Sequence, residues 1–194
     1  MTDPLARKWN LRYADADPVA ARPCGALEDY AHLLPAQGRA LDLASGLGGN
    51  AVFLARRGLD TAAWDVSPVA IAKLRDHAEQ QGLSVHAEVR DVQSAPPNPD
   101  TFDVIVVSCF LERELAPALA RALRPEGLLF YQTWTREAVD DRGPQNPAFR
   151  LAPNELLALF RDLRVIVYRE EGLIGDTTRG LRSEAWLVAI RSPD

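Results

Sequence analysis

The chain has 194 residues, 47% of them hydrophobic, and a formal net charge of -5. That is enough apolar material for one domain with a sizeable core, and the acidic balance excludes bulk attraction to nucleic acid or to an anionic membrane. No apolar run approaches the ~18 residues that span a bilayer, and the N-terminal Met-Thr-Asp-Pro-Leu-Ala-Arg-Lys lacks the apolar core of a signal peptide. Cys24 and Cys109 have no metal-type spacing, and His32, His77 and His86 form no ligand motif. A cytoplasmic protein with neither disulfide nor metal is expected.

In chain order, residues 5–20 hold Trp9-Asn-Leu-Arg-Tyr13 and then an Ala/Asp/Pro stretch. Two aromatics and an arginine ahead of any strand predict an N-terminal cap of about residues 1–35, either folded over a ligand or docked as a helix. Pro23 opens a helix to about Leu34, with Leu27, Tyr30, Ala31 and Leu34 on one face; Pro35 and Gly38 end it. Ala40–Leu43 reads as a buried parallel strand. It breaks into Gly46, Gly48 and Gly49 and continues as a helix, Asn50–Arg57, closed by Gly58. Glycines let this turn approach a ligand without a Cβ in the way, and the helix behind it offers unpaired N–H groups.

Two ligand families use this device. Gly46-x-Gly48-x-x-Ala51 fits the dinucleotide fingerprint. It also fits the S-adenosylmethionine (SAM) loop, in which an acid precedes the first glycine by four, here Asp42. A carboxylate at this strand end suits an ammonium group and repels a pyrophosphate, which favours SAM over NAD.

The second strand, Thr61–Asp65, ends in an acid 19 residues after Gly46. Ser67 is a good N-cap with Pro68 at the first helical position, and the helix carrying Ile71, Leu74 and Ala78 stops at Gly82. The third strand, Ser84–Val89, runs into Asp91-Val92. After the loop 95–100 comes a strongly β-branched fourth strand, Phe102–Val107. A helix Leu115–Leu123, the turn Pro125-Glu-Gly127 and a fifth strand Leu128–Thr133 follow. Residues 135–150 have no periodicity; an irregular segment this long is uncommon in a compact domain and often functional, so a substrate-side loop or lid is predicted there. Helix Pro153–Phe160, strand Arg164–Tyr168, the polar loop 170–183 and strand Ala185–Ile190 complete the chain.

Strands thus alternate with helices five times before a strand pair closes the chain. That is an α/β fold with a parallel sheet covered on both faces, and ligands in such sheets bind at the carboxyl ends of the strands. There Asp65 can accept both hydroxyls of a ribose, with Val66 packing on the adenine. Asp91 can accept the adenine amine while Val92 covers the ring edge.

Asp42-Leu-Ala-Ser-Gly-Leu-Gly, Asp65-Val-Ser-Pro-Val-Ala-Ile and Arg90-Asp-Val resemble the first three motifs of class I SAM-dependent methyltransferases. Phe102–Leu111 is similar to the fourth, and Leu123-Arg-Pro-Glu-Gly-Leu-Leu129 to the usual Leu-Arg-Pro-Gly-Gly stretch. Within that class, Trp9–Tyr13 and Cys109–Leu115 are similar to the small tellurite-resistance-type methyltransferases. The resemblance implies a Rossmann-like, seven-stranded, mostly parallel sheet with its last strand antiparallel, a single domain over 1–194, and SAM as methyl donor. It implies that Trp9, Arg12 and Tyr13 close over the methionine end. It implies further cofactor contacts from Asp42, Ala44, Ser45, Gly46, Gly48 and Asn50, from Asp65, Val66 and Ser67, from Asp91 and Val92, and from Ser108, Cys109 and Phe110.

This chain departs from the family pattern at Ala44, where glycine is commoner, and at Ser45, where many relatives have cysteine. Glu112-Arg113 stands where the subgroup has histidine before arginine, so Glu112 is the nearby candidate base and Glu112 and Arg113 are the catalytic candidates. Tyr131 and Trp134 are expected to line the acceptor pocket. Arg113 and Arg142, with Arg136, Arg150, Arg179 and Arg182 in the same loops, offer pairs to an anionic acceptor; only Lys8 and Lys73 are lysine, so surface arginines of an arginine-biased chain are the alternative. The expected acceptor is a small molecule, a metalloid oxyanion or a thiol, methylated by a monomer or homodimer with no nucleic-acid or membrane partner. A SAM-binding regulatory protein without turnover uses the same motifs, and a NAD-binding Rossmann oxidoreductase is the third reading, opposed by Asp42 and Asp91.

Overall fold

The strongest apolar run of the sequence, Val104-Ile-Val-Val107, is wholly buried at the centre of the sheet. Ile105 and Val107 point into one core layer with Leu119, Leu156 and Phe160, while Val104 and Val106 point into the other with Leu27 and Leu54. A strand covered on both faces cannot alternate apolar with polar residues, which is why this one reads as continuous. The structure, a computed structural model, describes residues 4–193.

Its strands are β1 (Arg39–Leu43), β2 (Asp60–Asp65), β3 (Val85–Val89), β4 (Phe102–Ser108), β5 (Leu123–Trp134), β6 (Arg164–Arg169) and β7 (Glu184–Ile190). The helices are α1 (Pro4–Tyr13), α2 (Gly25–Asp29), α3 (Gly49–Arg56), α4 (Pro68–Gln80), α5 (Ala116–Ala122) and α6 (Glu155–Leu159). The sheet order is β3-β2-β1-β4-β5-β7-β6. Strands β1 to β5 pair in parallel, and β7 is inserted antiparallel to both β5 and β6. The strand order reverses between β1 and β4, so their carboxyl ends open a crevice at that switch point.

Three elements differ from the sequence expectation. The helix expected over Pro23–Leu34 is divided into α2 and a 3-10 turn, Ala31–Leu33. Its start is pinned from outside: Gln132 Oε1 accepts from Ala26 N at 2.9 Å and Asn50 Oδ1 from Cys24 N at 2.8 Å. A Cβ on Gly25 would lie 2.6 Å from the Trp186 ring. The expected Pro125-Glu-Gly127 turn is an irregularity inside β5, where Glu126 takes φ 63° and its N–H donates to Arg191 O. The last helix shortens to α6 because Asn154 is left-handed at φ 60°.

The leader is docked as a helix, the second of the two alternatives, with its aromatic residues at the sheet edge. Residues 1–3 of the cap lie outside the described residues, and α1 docks on α4. Ser67 Oγ donates to Asn10 Oδ1 at 2.7 Å, and Lys73 Nζ donates to Ala14 O and Ala16 O at 2.6 and 2.8 Å. So anchored, α1 lays Trp9 and Tyr13, stacked at 5.9 Å, over the sheet's carboxyl edge.

Candidate active site

The glycine loop is shaped by packing as well as by any ligand. Ala44, Gly46 and Gly48 all have positive φ (55°, 52° and 78°). A Cβ on Gly48 would lie 2.2 Å from Leu74 Cδ1, and one on Gly49 would lie 2.3 Å from the Arg22 carbonyl oxygen. Two carboxylates tie the loop down. Asp65 accepts from Gly46 N and Ser67 N, each at 2.8 Å, joining the β1 loop to the start of α4. Asp42 accepts from Ala51 N at 3.0 Å and Asn50 Nδ2 at 3.1 Å. Asn50 also donates to Ser108 Oγ at 2.9 Å, so β1, α3, β4 and the N-terminal segment meet at one amide.

These contacts revise the role expected of Asp42. It is 0% exposed, is absent from the cavity wall, and organises the loop through Asn50 and Ala51 rather than facing a ligand's ammonium. Burial pushes its carboxyl up to about 7, against the pull of its two hydrogen bonds. Asp65 is raised for the same reason.

A cavity of about 720 Å³ lies over the carboxyl ends of β1 to β5, within the range of ~300–1,000 Å³ that holds drug-sized ligands. Of the expected cofactor residues, Trp9, Arg12 and Tyr13 form its α1 wall; Ala44, Asp65 and Val66 its middle; Asp91 and Val92 one end; and Ser108, Cys109 and Phe110 its β4 wall. Asp91 Oδ1 caps Gln93 N at 3.0 Å. Arg12 has no hydrogen-bond or ion-pair partner among the described residues, while Arg90 is held by Ala95 O and Pro96 O and lies over the Trp64 ring. Ser45, Gly46, Asn50 and Ser67 do not line it, and Gly48 lines a separate, smaller cavity beside α3. Burial, then the Glu184 charge, pushes the Cys109 thiol up to about 11, so it is neutral at physiological pH; Tyr13 is raised by burial and Asp65.

The acceptor side departs further from expectation. Glu112 lines the cavity, accepting from Gln93 Nε2 at 2.8 Å, and Trp134 lines it too. Tyr131 does not: it is 2% exposed, packs on Phe160 and donates to Phe110 O at 2.9 Å. Tyr131 and Trp134 are three residues apart on one strand, and so face opposite sides of the sheet.

Arg113 does not reach the cavity either. It is engaged by Glu155 (2.5 Å), Ala148 O (2.6 Å) and Arg150 O (3.1 Å), and the pairing lowers Glu155's pKa. Arg142 pairs with Asp140 at 2.9 Å beside the Trp134 ring. Arg150 is buried against the carbonyls of Pro144, Thr135 and Arg142. Residues 135–150 are thereby a tied wall, and they contribute three cavity residues that sequence reasoning missed, Gly143, Pro144 and Phe149. Phe149 had one readable signal, a large apolar residue in an otherwise polar loop. Lys8, Gln93 and Leu111 carried none.

Arg113→Ala is expected to raise cleavage within 135–150 by limited proteolysis roughly five- to tenfold, the loss of about 1 kcal/mol from a partly exposed staple. Cofactor affinity should not change. Uncut loops together with weakened acceptor binding would return Arg113 to the pocket.

Residues 40–127 match the family described as a methyltransferase domain. The probable S-adenosyl-L-methionine-dependent methyltransferase TehB of Haemophilus influenzae (strain 10810) is 26% identical over 177 residues, covering 87% of this chain and 57% of its own length. The ubiquinone biosynthesis O-methyltransferase of Methylocella silvestris is 26% identical over 200 residues, covering 93% of this chain and 74% of its own. The crystal structure of Haemophilus influenzae TehB superposes with a TM-score of 0.70 at 25% identity, over 87% of this chain and 62% of that one. The chain spans 57% to 59% of the length of the first curated relatives that it matches.

Proposed function

This chain belongs to the class I SAM-dependent methyltransferases, and from that premise we propose that it transfers a methyl group from SAM to a small-molecule acceptor. The observation that carries the proposal is the series of acids at the ends of β2 and β3, with Arg12, unpaired among the described residues, opposite them around one cavity. The residues fit the cofactor. Asp65 and Asp91 supply acceptors for ribose hydroxyls and an adenine amine, Val66 and Val92 apolar walls, and Arg12 a partner for a carboxylate. Ser45 Oγ, buried in the glycine loop, has no hydrogen-bond partner among the described residues, which marks a polar cradle not completed by the protein alone.

SAM brings a methyl group already activated for in-line displacement, so the protein's task is positioning. Tyr13, Trp9 and Phe110 close around the transfer region and exclude water. The thiol reading of the acceptor is favoured over a metalloid oxyanion. A sulfur nucleophile ionises nearer neutrality than a phenol does, at ~8.5 against ~10 in side-chain analogues, and needs less of a base than Glu112, itself held by Gln93, would offer. The arginines that an oxyanion would use, Arg113, Arg142 and Arg150, are engaged by Glu155, Asp140 and backbone carbonyls. Tellurite resistance, implied by the resemblance of Trp9–Tyr13 and Cys109–Leu115 to the tellurite-resistance-type methyltransferases, is accordingly the weaker assignment. We further propose that the described residues work as one methyltransferase domain, as a monomer or homodimer in the cytoplasm and on small molecules rather than nucleic acid. The net charge of -5 supports this, and no described helix is long and apolar enough to cross a membrane.

Calorimetric titration with SAM, S-adenosylhomocysteine and NADH tests the cofactor. The first two are expected to bind and NADH not; NADH binding alone would overturn the assignment in favour of an oxidoreductase. SAM binding with no turnover over a broad acceptor screen would favour the regulatory reading. The titration also has a pH signature. A cationic ligand favours ionised Asp42, whose charge is felt by the cavity residue Tyr13. Because burial has raised that carboxyl to about 7, binding below pH 7 is expected to release a proton. SAM affinity should therefore fall as pH drops through 7, with proton release shown by buffers of different ionisation enthalpy. The same group lowers the stability of the unliganded protein as pH rises from about 4 to about 7, since only the native state then holds the proton.

A further inference from the structure

Of the chain's 6 Phe, 4 Tyr and 4 Trp, five line this one cavity: Trp9, Tyr13, Phe110, Trp134 and Phe149. Two of them form the wall contributed by β5 and the loop after it, and both are held in place by polar ties. Gly143, at φ 84°, lies so close to the Trp134 ring that a Cβ there would be 2.5 Å away, and the Arg142 guanidinium carbon is 5.6 Å from the ring centroid. Phe149 ends a 3-10 turn, Pro147–Phe149, that Asn146 caps through Ala148 N at 2.9 Å and Arg113 staples through Ala148 O at 2.6 Å. With its backbone so pinned, Phe149 is left 50% exposed at the cavity. With Trp9, Tyr13, Phe110 and Trp134 around the same space, it completes an aromatic lining that suits an apolar occupant.

The charges point the same way. Arg113, Arg142 and Arg150 answer to Glu155, Asp140 and backbone carbonyls, and Arg182 donates to Gly172 O and Asp176 O at 2.8 and 2.9 Å. None of the four lines the cavity. Of the cations that do, Arg90 is held by two carbonyls, Lys8 lies 5.5 Å from the Trp9 ring, and Arg12 stands on α1 beside Tyr13, whose hydroxyl covers Gly46 at the cofactor loop. An oxyanion at the Trp134–Phe149 wall would find aromatic faces and the Glu112 carboxylate, while the Arg142 guanidinium beside Trp134 is already paired with Asp140.

We propose that the methyl acceptor is a flat aromatic thiol held by Phe149 and Trp134. This rests on the methyltransferase reading and names its substrate class. The thiol loses its proton to water before transfer. Its sulfur lone pair then forms the new carbon–sulfur bond as the methyl–sulfonium bond breaks, its electron pair returning to the cofactor sulfur to leave S-adenosylhomocysteine. Aromatic faces suit both the flat acceptor and a cationic donor.

The test uses the full chain saturated with S-adenosylhomocysteine and titrated with 4-nitrothioanisole, the methylated form of an aryl thiol, whose nitro group quenches the cavity tryptophans. Saturable quenching is expected, weakened roughly tenfold or more in Phe149→Ala, which keeps Trp134 as reporter. Calorimetry on Trp134→Leu should show a similar loss, and both variants should bind S-adenosylhomocysteine as wild type does. Absence of saturable binding, wild-type affinity retained in both variants, or displacement of the probe by selenite would overturn the proposal. The two readings fail separately: lack of S-adenosylhomocysteine binding sinks the methyltransferase assignment, whereas its binding without that of the aryl probe sinks only the aromatic acceptor. Methylation of 4-nitrothiophenol in preference to selenite would be the matching activity result.

Discussion

Asp65→Ala is expected to lower affinity for SAM and S-adenosylhomocysteine at least a hundredfold, with a loss of stability beside it. The carboxylate is only 7% exposed, and each of its oxygens already accepts one backbone N–H at 2.8 Å, from Gly46 and from Ser67. Each oxygen keeps a further lone pair for a hydroxyl donor from the cavity side. Two hydrogen bonds from a ribose to a charged group are worth about 1.5–3 kcal/mol each, or roughly 10² to 10⁴ in affinity when both go. Removing the carboxylate also strands two amides, at about 1–3 kcal/mol each where water does not replace it. Calorimetry measures the first effect and thermal unfolding without ligand the second. Asp65→Asn separates them, since one amide oxygen can still cap one N–H while the charge is lost. Nucleoside affinity within threefold of wild type in the alanine variant would leave Asp65 as a loop tie only.

Asn50→Leu should cost stability more than any other single change in the site, about 3–5 kcal/mol, for a fall in melting temperature of about 10 °C at this chain length. Leucine keeps asparagine's branching at Cγ but is bulkier, so part of the loss is overpacking and the pH-dependent part is electrostatic. It removes the 3.1 Å donor to Asp42, the 2.9 Å donor to Ser108 and the 2.8 Å acceptor of Cys24 N. Asp42 is left fully buried with Ala51 N alone. Because the Asn50 hydrogen bond is the largest influence holding the Asp42 pKa down against burial, its loss raises that pKa further. The destabilisation should therefore be smaller at pH 5, where the carboxyl is protonated, than at pH 8, where the native state must bury the charge or bind a proton. Melting curves at the two pH values check this. An equal deficit at both would mean that the charge of Asp42 takes no part, and no deficit would mean that the amide is idle.

Much of the fold was legible because its signals are local. The β-branched run of β4 and the Ser67-Pro68 start of α4 sit in the chain next to what they dictate. So do the glycine loop and the acids ending β2 and β3, and the cavity collects Asp65, Val66, Asp91 and Val92 where strand ends predict them. Parity along β5 would even have removed Tyr131 from the pocket, since Leu129 and Tyr131 share the core face and Trp134 lies on the other. The division of the Pro23–Leu34 helix was not legible, because Gln132 and Asn50, which pin its start, lie far away in sequence.

The sequence by itself determined the order of elements, the loop that turns back over the sheet, and which residue types stand at the strand ends. Each follows from period, turn chemistry or a residue's own charge. Only the tertiary structure decided which of those charges are available. Asp42 has the composition of a ligand contact but is buried under Asn50; Arg113 and Arg150 have the composition of an anion site but answer to Glu155 and to backbone carbonyls. A charged side chain declares its chemistry in the sequence, whereas its partner is fixed by which distant segment folds against it. The same holds for Phe149, an ordinary loop residue in the chain, which the staple from Arg113 turns into part of the cavity wall.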